Sequence, residues 1–352
     1  MDSLSPLEAV QPPPLAADKG KSAEKIVVAA ILAEEARLRA AHPILRFQDS
    51  LALLIWVLSL SWMGISAYLY ISGRVPWYFT FFTSSFAASL LHELEHDVIH
   101  SMYFSGNPLV WNAMFLGIWI AKLSLNPWTR KTYHLHHHRR SGQEDDVEER
   151  LLGLGVGNLP LRLALAVFPW LAVLFFHDIT VSTKAANEKF SLRYRGAVCS
   201  GERWLQRAEN LMIISPTVAA LVWLCSGSAA ARAGAATFLV VWGGPNVLRH
   251  ASIALMSSFS HYYGDLTPND VTQQNQILNH SVFLPLQLFC CNFGAEHIIH
   301  HFVVSQPFWI RHLVRHAAWA AMVQNGTRVN DFGSIFYRAQ RYRRPGDKDK
   351  GA

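Results

Sequence analysis

The sequence predicts an all-α, polytopic membrane protein. It expects about four transmembrane helices in two hairpins, with interfacial helices, capped by a histidine-rich region on the cytoplasmic side. Three observations lead there. Of 352 residues, 51% are hydrophobic and 16% charged, where soluble domains carry about 25% charged residues. Apolar runs long enough to cross a bilayer recur along the chain. Histidines and basic residues gather in the segments between these runs.

The elements follow in order. The N-terminus is polar and proline-rich and lacks a charged stretch followed by an apolar one, so it reads as a disordered cytosolic tail and not as a cleaved signal. Residues 25–41 have helical periodicity with one apolar stripe, suited to a membrane surface or to the main body. Residues 1–47 are thus a cytosolic tail and amphipathic helix, 48–330 a membrane-embedded domain and 331–352 a basic cytosolic tail. The first span is 49–71, closed by Ser72-Gly73-Arg74-Val75-Pro76, and a second apolar helix starts at Trp77. The apolar stretch 108–125 separates two histidine clusters that must converge, so it is expected to be re-entrant or interfacial. The stretch 158–176, interrupted by Pro169, is expected to be an interfacial helix. A second hairpin runs over 209–229 and 235–260, with its tip at Arg232-Ala-Gly234.

Charge asymmetry orients this layout. The two outer turns carry only Arg74 and Arg232. The inner segments carry Arg130, Lys131, Arg139, Arg140, Lys184, Lys189, Arg193, Arg195, Arg203, Arg207 and the C-terminal basic run. Positive charge on the inside places both termini and all histidine clusters in the cytoplasm. The alanine- and arginine-rich composition points to a bacterial inner membrane. The net charge of +6 is gathered in a few segments without interleaved aromatics, which fits a membrane surface and no nucleic acid. Cys199, Cys225, Cys290 and Cys291 form no CxxC pair, and the adjacent Cys290 and Cys291 read as buried structural residues.

Most of the 17 histidines lie in three boxes: His92-Glu-Leu-Glu-His96-Asp-Val-Ile-His100, His134-Leu-His136-His137-His138 and His297-Ile-Ile-His300-His301. Such density beside apolar helices reads as ligands for more than one metal ion. His92, His96 and His100 form an i, i+4, i+8 stripe whose first two members can share a metal. Glu93 and Asp97 repeat that spacing on a neighbouring face, where they either orient imidazoles or meet solvent. His137 and His138 diverge by about 100° on a helix and so can reach two different metals. His136 is the odd member, and Glu144-Asp145-Asp146 reads as a solvated loop. His261, at the end of the last span, is a further ligand candidate. His280 and Asn292 are weaker ones, and His250 beside Arg249 suits a packed role.

His-x3-His followed by two His-x2-His-His boxes, in that order around two apolar hairpins over residues 49–302, resembles the membrane-bound histidine-box fatty acid desaturase/hydroxylase superfamily. The resemblance implies two iron ions, O2 as co-substrate, and hydrogen removal from the acyl chain of a fatty acid or lipid. It implies the ligand role for His92, His96, His134, His137, His138, His297, His300 and His301, with His261 as the family's additional histidine; His100 joins them from the stripe. Asn292-Phe-Gly-Ala-Glu-His297 looks like a desaturase sequence. Box one has Glu93 after its first histidine, unlike the commonest desaturase form and closer to alkane hydroxylase-like branches. Desaturation is the primary expectation. Hydroxylation, or decarboxylation to a terminal alkene, are the alternatives.

Ligand type suits iron, copper, nickel or zinc, but eight or nine histidines exceed the three or four that zinc uses. His92-Glu93-Leu-Glu-His96 is also an H-E-x-x-H, which would make Glu93 the general base of an intramembrane zinc protease. That reading leaves boxes two and three unexplained. Glu93 is the one candidate catalytic residue. A metal transporter or sensor would place ligands within several spans or in a flexible loop. Ala41-His42-Pro43-Ile44 lacks the glycines of a fused haem signature, and no cysteine-rich cluster motif is present. A separate ferredoxin, rubredoxin or cytochrome with its reductase is therefore the expected electron donor, drawn to the cationic surface.

Overall fold

The computed structural model describes residues 17–171 and 203–343, apart from 265, 268 and 269. The tail up to residue 16, the segment 172–202 with His177, Lys184, Lys189, Arg193, Arg195 and Cys199, and the last residues of the basic run lie outside the described residues. What is described is helical almost throughout.

Helix α1 (Ala17–Ala41) buries Val27, Ile31 and Leu38 against Ile310 and Val314. Gln306 also donates to Glu35 at 2.7 Å. Its apolar stripe therefore docks on the main body. Burying one such side chain stabilises by about 1.5–3 kcal/mol. Helices α2 (Gln48–Ile71) and α3 (Trp77–Ile99) form the first hairpin. Small hydroxyl residues let them approach: Ser66 and Ser84 hydroxyls meet at 3.0 Å, and Thr80 donates to the Ser66 carbonyl at 2.9 Å.

Asn107 caps α4 (Pro108–Lys122), accepting from the Val110 amide at 3.2 Å. Leu123 then takes a left-handed φ of 47°, and Asn126 caps α5 (Pro127–Arg140) by accepting from Trp128 and Thr129. These devices turn α5 by 96° from α4, which carries box two back to box one. The short α6 (Val147–Leu151) and α7 (Leu159–Val167) follow. Helix α8 (Arg203–Cys225) leads through Ser226–Ser228 into α9 (Ala229–Phe238), a π turn at Leu239–Gly243 and α10 (Gly244–Ser260). The tip of this hairpin is Ser226-Gly227-Ser228. Arg232-Ala-Gly234 is helical, because Ser228 caps an alanine-rich run whose residues favour the helix.

Beyond α10 come α11 (Val271–Gln274), α12 (Leu284–Leu288), α13 (Phe293–Phe302), α14 (Phe308–Gln324) and α15 (Phe332–Tyr337). Two short parallel strands, β1 (Gln276–Ile277) and β2 (Arg328–Val329), pair Gln276 with Arg328 and Ile277 with Val329. Cys290 is buried. Cys291 is only half-buried and, with Asn292, takes a left-handed φ (49° and 58°) that starts α13. Residues 332–343 pack on the body: Ile335 is buried, Gln340 donates to the Phe259 carbonyl at 2.7 Å, and Tyr263 bridges to Arg341.

Two described helices, Gln48–Ile71 and Arg207–Cys225, are long and apolar enough to cross a membrane, or up to four passages if each bent pair counts as one. The bent pairs are α4 with α5, and Ser281–Leu288 with α13, at 80°. The expected partners in the two hairpins do not meet this measure. Serines, threonines and box residues lower the hydropathy of α3, and the π turn divides 229–260 into pieces too short to span. Leu54, Leu58 and Ile65 on α2 and Leu211, Leu221 and Leu224 on α8 are exposed, as lipid-facing side chains are.

Candidate metal centre

Four helix ends meet at one place. Helix α3 brings His96 and, at its end, His100. Helix α5 brings His134, His137 and His138, α10 ends on His261, and α13 brings His297, His300 and His301. These nine fall into two groups. His96, His100, His134, His138 and His300 form one, and His137, His261, His297 and His301 the other, with ligand atoms in each within 4.8 Å of one another. The adjacent pairs His137–His138 and His300–His301 each divide between the groups, as neighbouring helical positions do.

The Nε2 atoms point inward. His134 and His100 meet at 2.9 Å, and His138–His134, His300–His100 and His300–His138 at 3.0 Å. In the second group, His301 lies 3.0 Å from His297 and 3.4 Å from His137 and His261. Nitrogens bound about 2.1 Å from one ion at right angles lie about 3.0 Å apart. Neutral imidazoles sharing a centre this way cannot all hydrogen-bond one another, because each has one N–H.

The outer nitrogens show where those N–H groups go. Glu148 Oε2 lies 2.7 Å from His134 Nδ1, and Asp146 Oδ2 lies 2.9 Å from His137 Nδ1. His261 Nδ1 is 2.9 Å from the Ser257 carbonyl and 3.4 Å from Glu149. An Nδ1–H donated outward leaves the Nε2 lone pair facing the centre. Burial holds His261 down to about 3, so it is neutral and free to ligate. Burial pushes the Glu149 carboxyl up to about 8. The donor set fits a pair of cations.

Asp146 is fully buried, which corrects the solvated-loop reading of Glu144-Asp145-Asp146. Its second tie is the Gly142 amide at 3.0 Å. The sequence signal that could have revealed it is the acidic series Asp146, Glu148, Glu149 directly after box two.

Three expected assignments differ. His92 lies outside both groups, with its Nδ1 3.5 Å from Arg249. A straight helix drifts about 40° with every i+4 step, so the three-histidine stripe cannot aim all its members at one point. Within box one, His96 and His100 are the members that join the first group. The glutamate that made the box look unlike the commonest desaturase form precedes both. Among the described residues Glu93 makes no hydrogen bond to a histidine of the centre: it is buried and accepts from Arg311 at 3.1 Å. Arg311 also donates to Asp97 at 3.0 Å, and Tyr103 and the Phe308 amide complete that carboxylate at 2.7 and 2.9 Å. This network locks α14 to α3 behind the ligands. His92 and Glu93 meet different neighbours, Arg249 and Arg311.

The weaker candidates also stand apart. His136 contacts the Asp145 carbonyl at 3.0 Å, His280 caps the turn at Val282, and Asn292 starts α13. Beside the centre lies a cavity of about 460 Å³. His96, His134, His137 and His297 reach it, and Leu151, Val167, Trp170, Ile213 and Ile253 give it apolar walls.

No curated protein matches the chain significantly. The family described as Fatty acid desaturase matches residues 72–333, which include all three boxes, His261 and the carboxylates behind them. The chain therefore belongs to the fatty acid desaturase family, membrane oxidoreductases of the desaturase and hydroxylase type.

Proposed function

We propose that the chain is an O2-dependent oxidoreductase that holds one iron ion in each histidine group and desaturates an acyl chain, with hydroxylation or terminal-alkene formation as the other outcomes of the same hydrogen removal. The observation that carries this is the division of nine converging histidines into two adjacent groups. Imidazole alone does not choose the metal; the choice of iron rests on the desaturase family and on zinc having no redox chemistry. Iron bound there supplies the redox chemistry that turns O2 into an agent able to take hydrogen from an unactivated C–H bond.

The protein's own groups do the rest. Asp146, Glu148 and the Ser257 carbonyl fix the tautomers of His137, His134 and His261. The apolar walls of the cavity hold an alkyl chain against His96 and His297 and keep water from it. The positive-inside pattern supports a centre at the cytoplasmic face, and the alanine- and arginine-rich composition supports a bacterial inner membrane. There a separate ferredoxin, rubredoxin or cytochrome, with its reductase, delivers electrons.

The test is product analysis by gas chromatography–mass spectrometry on membranes containing the chain. Saturated fatty acids, air and a ferredoxin–reductase supply are added, with a His300→Ala control. An internal double bond that needs O2 supports the proposal. An alcohol or a volatile terminal alkene selects the corresponding alternative. Zinc in the purified protein, with no O2-dependent product, overturns it.

A further inference from the structure

The cavity wall carries three cations, of which Arg130 is tied through Glu148 to His134 of the centre. They are Lys122 from α4, Arg130 from α5 and Arg249 from α10. Lys122 and Arg249 are 1% and 2% exposed. Carboxylates are shared unequally among them. Glu95 takes Lys122 at 2.5 Å and Arg130 at 2.8 Å, and Glu148 takes Arg130 at 3.1 Å. The other acids of the wall are engaged elsewhere: Glu209 accepts from the Asn126 amide, and Glu149 from Ser257.

Among the described residues, Arg249 hydrogen-bonds only to neutral acceptors. These are Asn246 Oδ1 and the Lys122 carbonyl, both at 3.3 Å, and His92 Nδ1 at 3.5 Å. A guanidinium kept dry with no carboxylate hydrogen-bonded to it is costly. The same cavity wall carries His92 and, one helical turn on, the ligand His96. An anion on Arg249 therefore has its attached chain running past the metal centre.

We propose that Arg249, flanked by Lys122 and His92, is a carboxylate-binding subsite, so that the substrate is a free fatty acid and its carboxyl-proximal carbons lie nearest the two histidine groups. The inference rests on the oxidoreductase reading and narrows its substrate class. A guanidinium binds a carboxylate with paired hydrogen bonds, whereas a thioester or lipid ester brings no charge to balance it.

The experiment measures binding of dodecanoate and of methyl dodecanoate to the metal-loaded full chain in detergent, by calorimetry without O2. Dodecanoate is expected to bind at least about tenfold more tightly. Arg249→Gln is expected to erase that preference with metal content retained, and Arg249→Lys to keep part of it. Equal binding of acid and ester by the wild type overturns the subsite. So does an Arg249→Gln variant that holds its metal and keeps the preference. If Arg249→Gln loses metal, the wild-type comparison decides alone, because it needs no variant. Turnover separates this proposal from the broader one. O2-dependent product from a thioester but not from the free acid removes the subsite and leaves the oxidoreductase. Selective dodecanoate binding without O2-dependent product, with donor supplied, supports the subsite and removes the reaction.

Discussion

The two histidine groups differ in what stands behind the rings. All four members of the second group are buried, and two of them, His137 and His261, hand their outer N–H to Asp146 and the Ser257 carbonyl. The first group has five members, of which His100 and His138 are only half-buried. His134 is hydrogen-bonded to the carboxylate of Glu148 and His96 Nδ1 lies 3.6 Å from Asp97, while the outer nitrogens of His96 and His300, and of His297 in the second group, have no hydrogen-bond partner among the described residues. Because His137 and His261 are tied down, the second group is expected to be the better ordered before a metal binds, and the first to gain more of its order from the ion.

The largest effects come from the ligands. His137→Ala and His300→Ala each remove a member of one group, and each is expected to abolish O2-dependent turnover. Metal analysis sharpens the comparison. Loss should begin in the altered group, and a variant turning over at the wild-type rate would defeat the assignment. Next come the carboxylates. Asp146→Asn should lower metal affinity or activity about 10- to 100-fold, the usual range for a group that orients a ligand. Glu148→Gln should cost less, because the ion, and not the carboxylate, orders most of the first group. Titration of the purified variants with Fe(II) checks the order, and equal losses would erase the distinction between the groups. Glu93→Gln is expected to reduce activity only partly, because the hydrogen bond of Glu93 goes to Arg311 and not to a histidine. Complete inactivity with both metals retained would give it a direct role.

Much of the centre was legible because helix geometry is local. His-x2-His-His on a helix must split its neighbours, and both copies do so. The fold was less legible where tertiary neighbours decide. The acidic run after box two has the composition of an exposed loop, and only closure of α6 onto α5 buries Asp146 behind His137. Arg232-Ala-Gly234 has a charge and a glycine, but the turn forms earlier at Ser226-Gly227-Ser228 because alanine favours helix. The basic composition after residue 330 masked Ile335, which packs into the core around α10 and α12. Helix α3 is polar along its hydroxyl-bearing face because that face meets α2.

Box one sets the finest test of the comparison. Three histidines at i, i+4 and i+8 allow either neighbouring pair to ligate, and sequence alone favours the first. The structure pairs His96 with His100, since Arg249 holds His92 and the half-buried His100 completes the first group at 2.9 Å from His134 and 3.0 Å from His300. His92→Ala should therefore leave the metal content of both groups unchanged, while His100→Ala should deplete the first group and spare the second. Iron counted per chain in the two purified variants distinguishes the registers. Depletion in His92→Ala with full loading of His100→Ala would restore the first pair, return Glu93 to the position after the first ligand, and reopen the hydroxylase-like reading of the box.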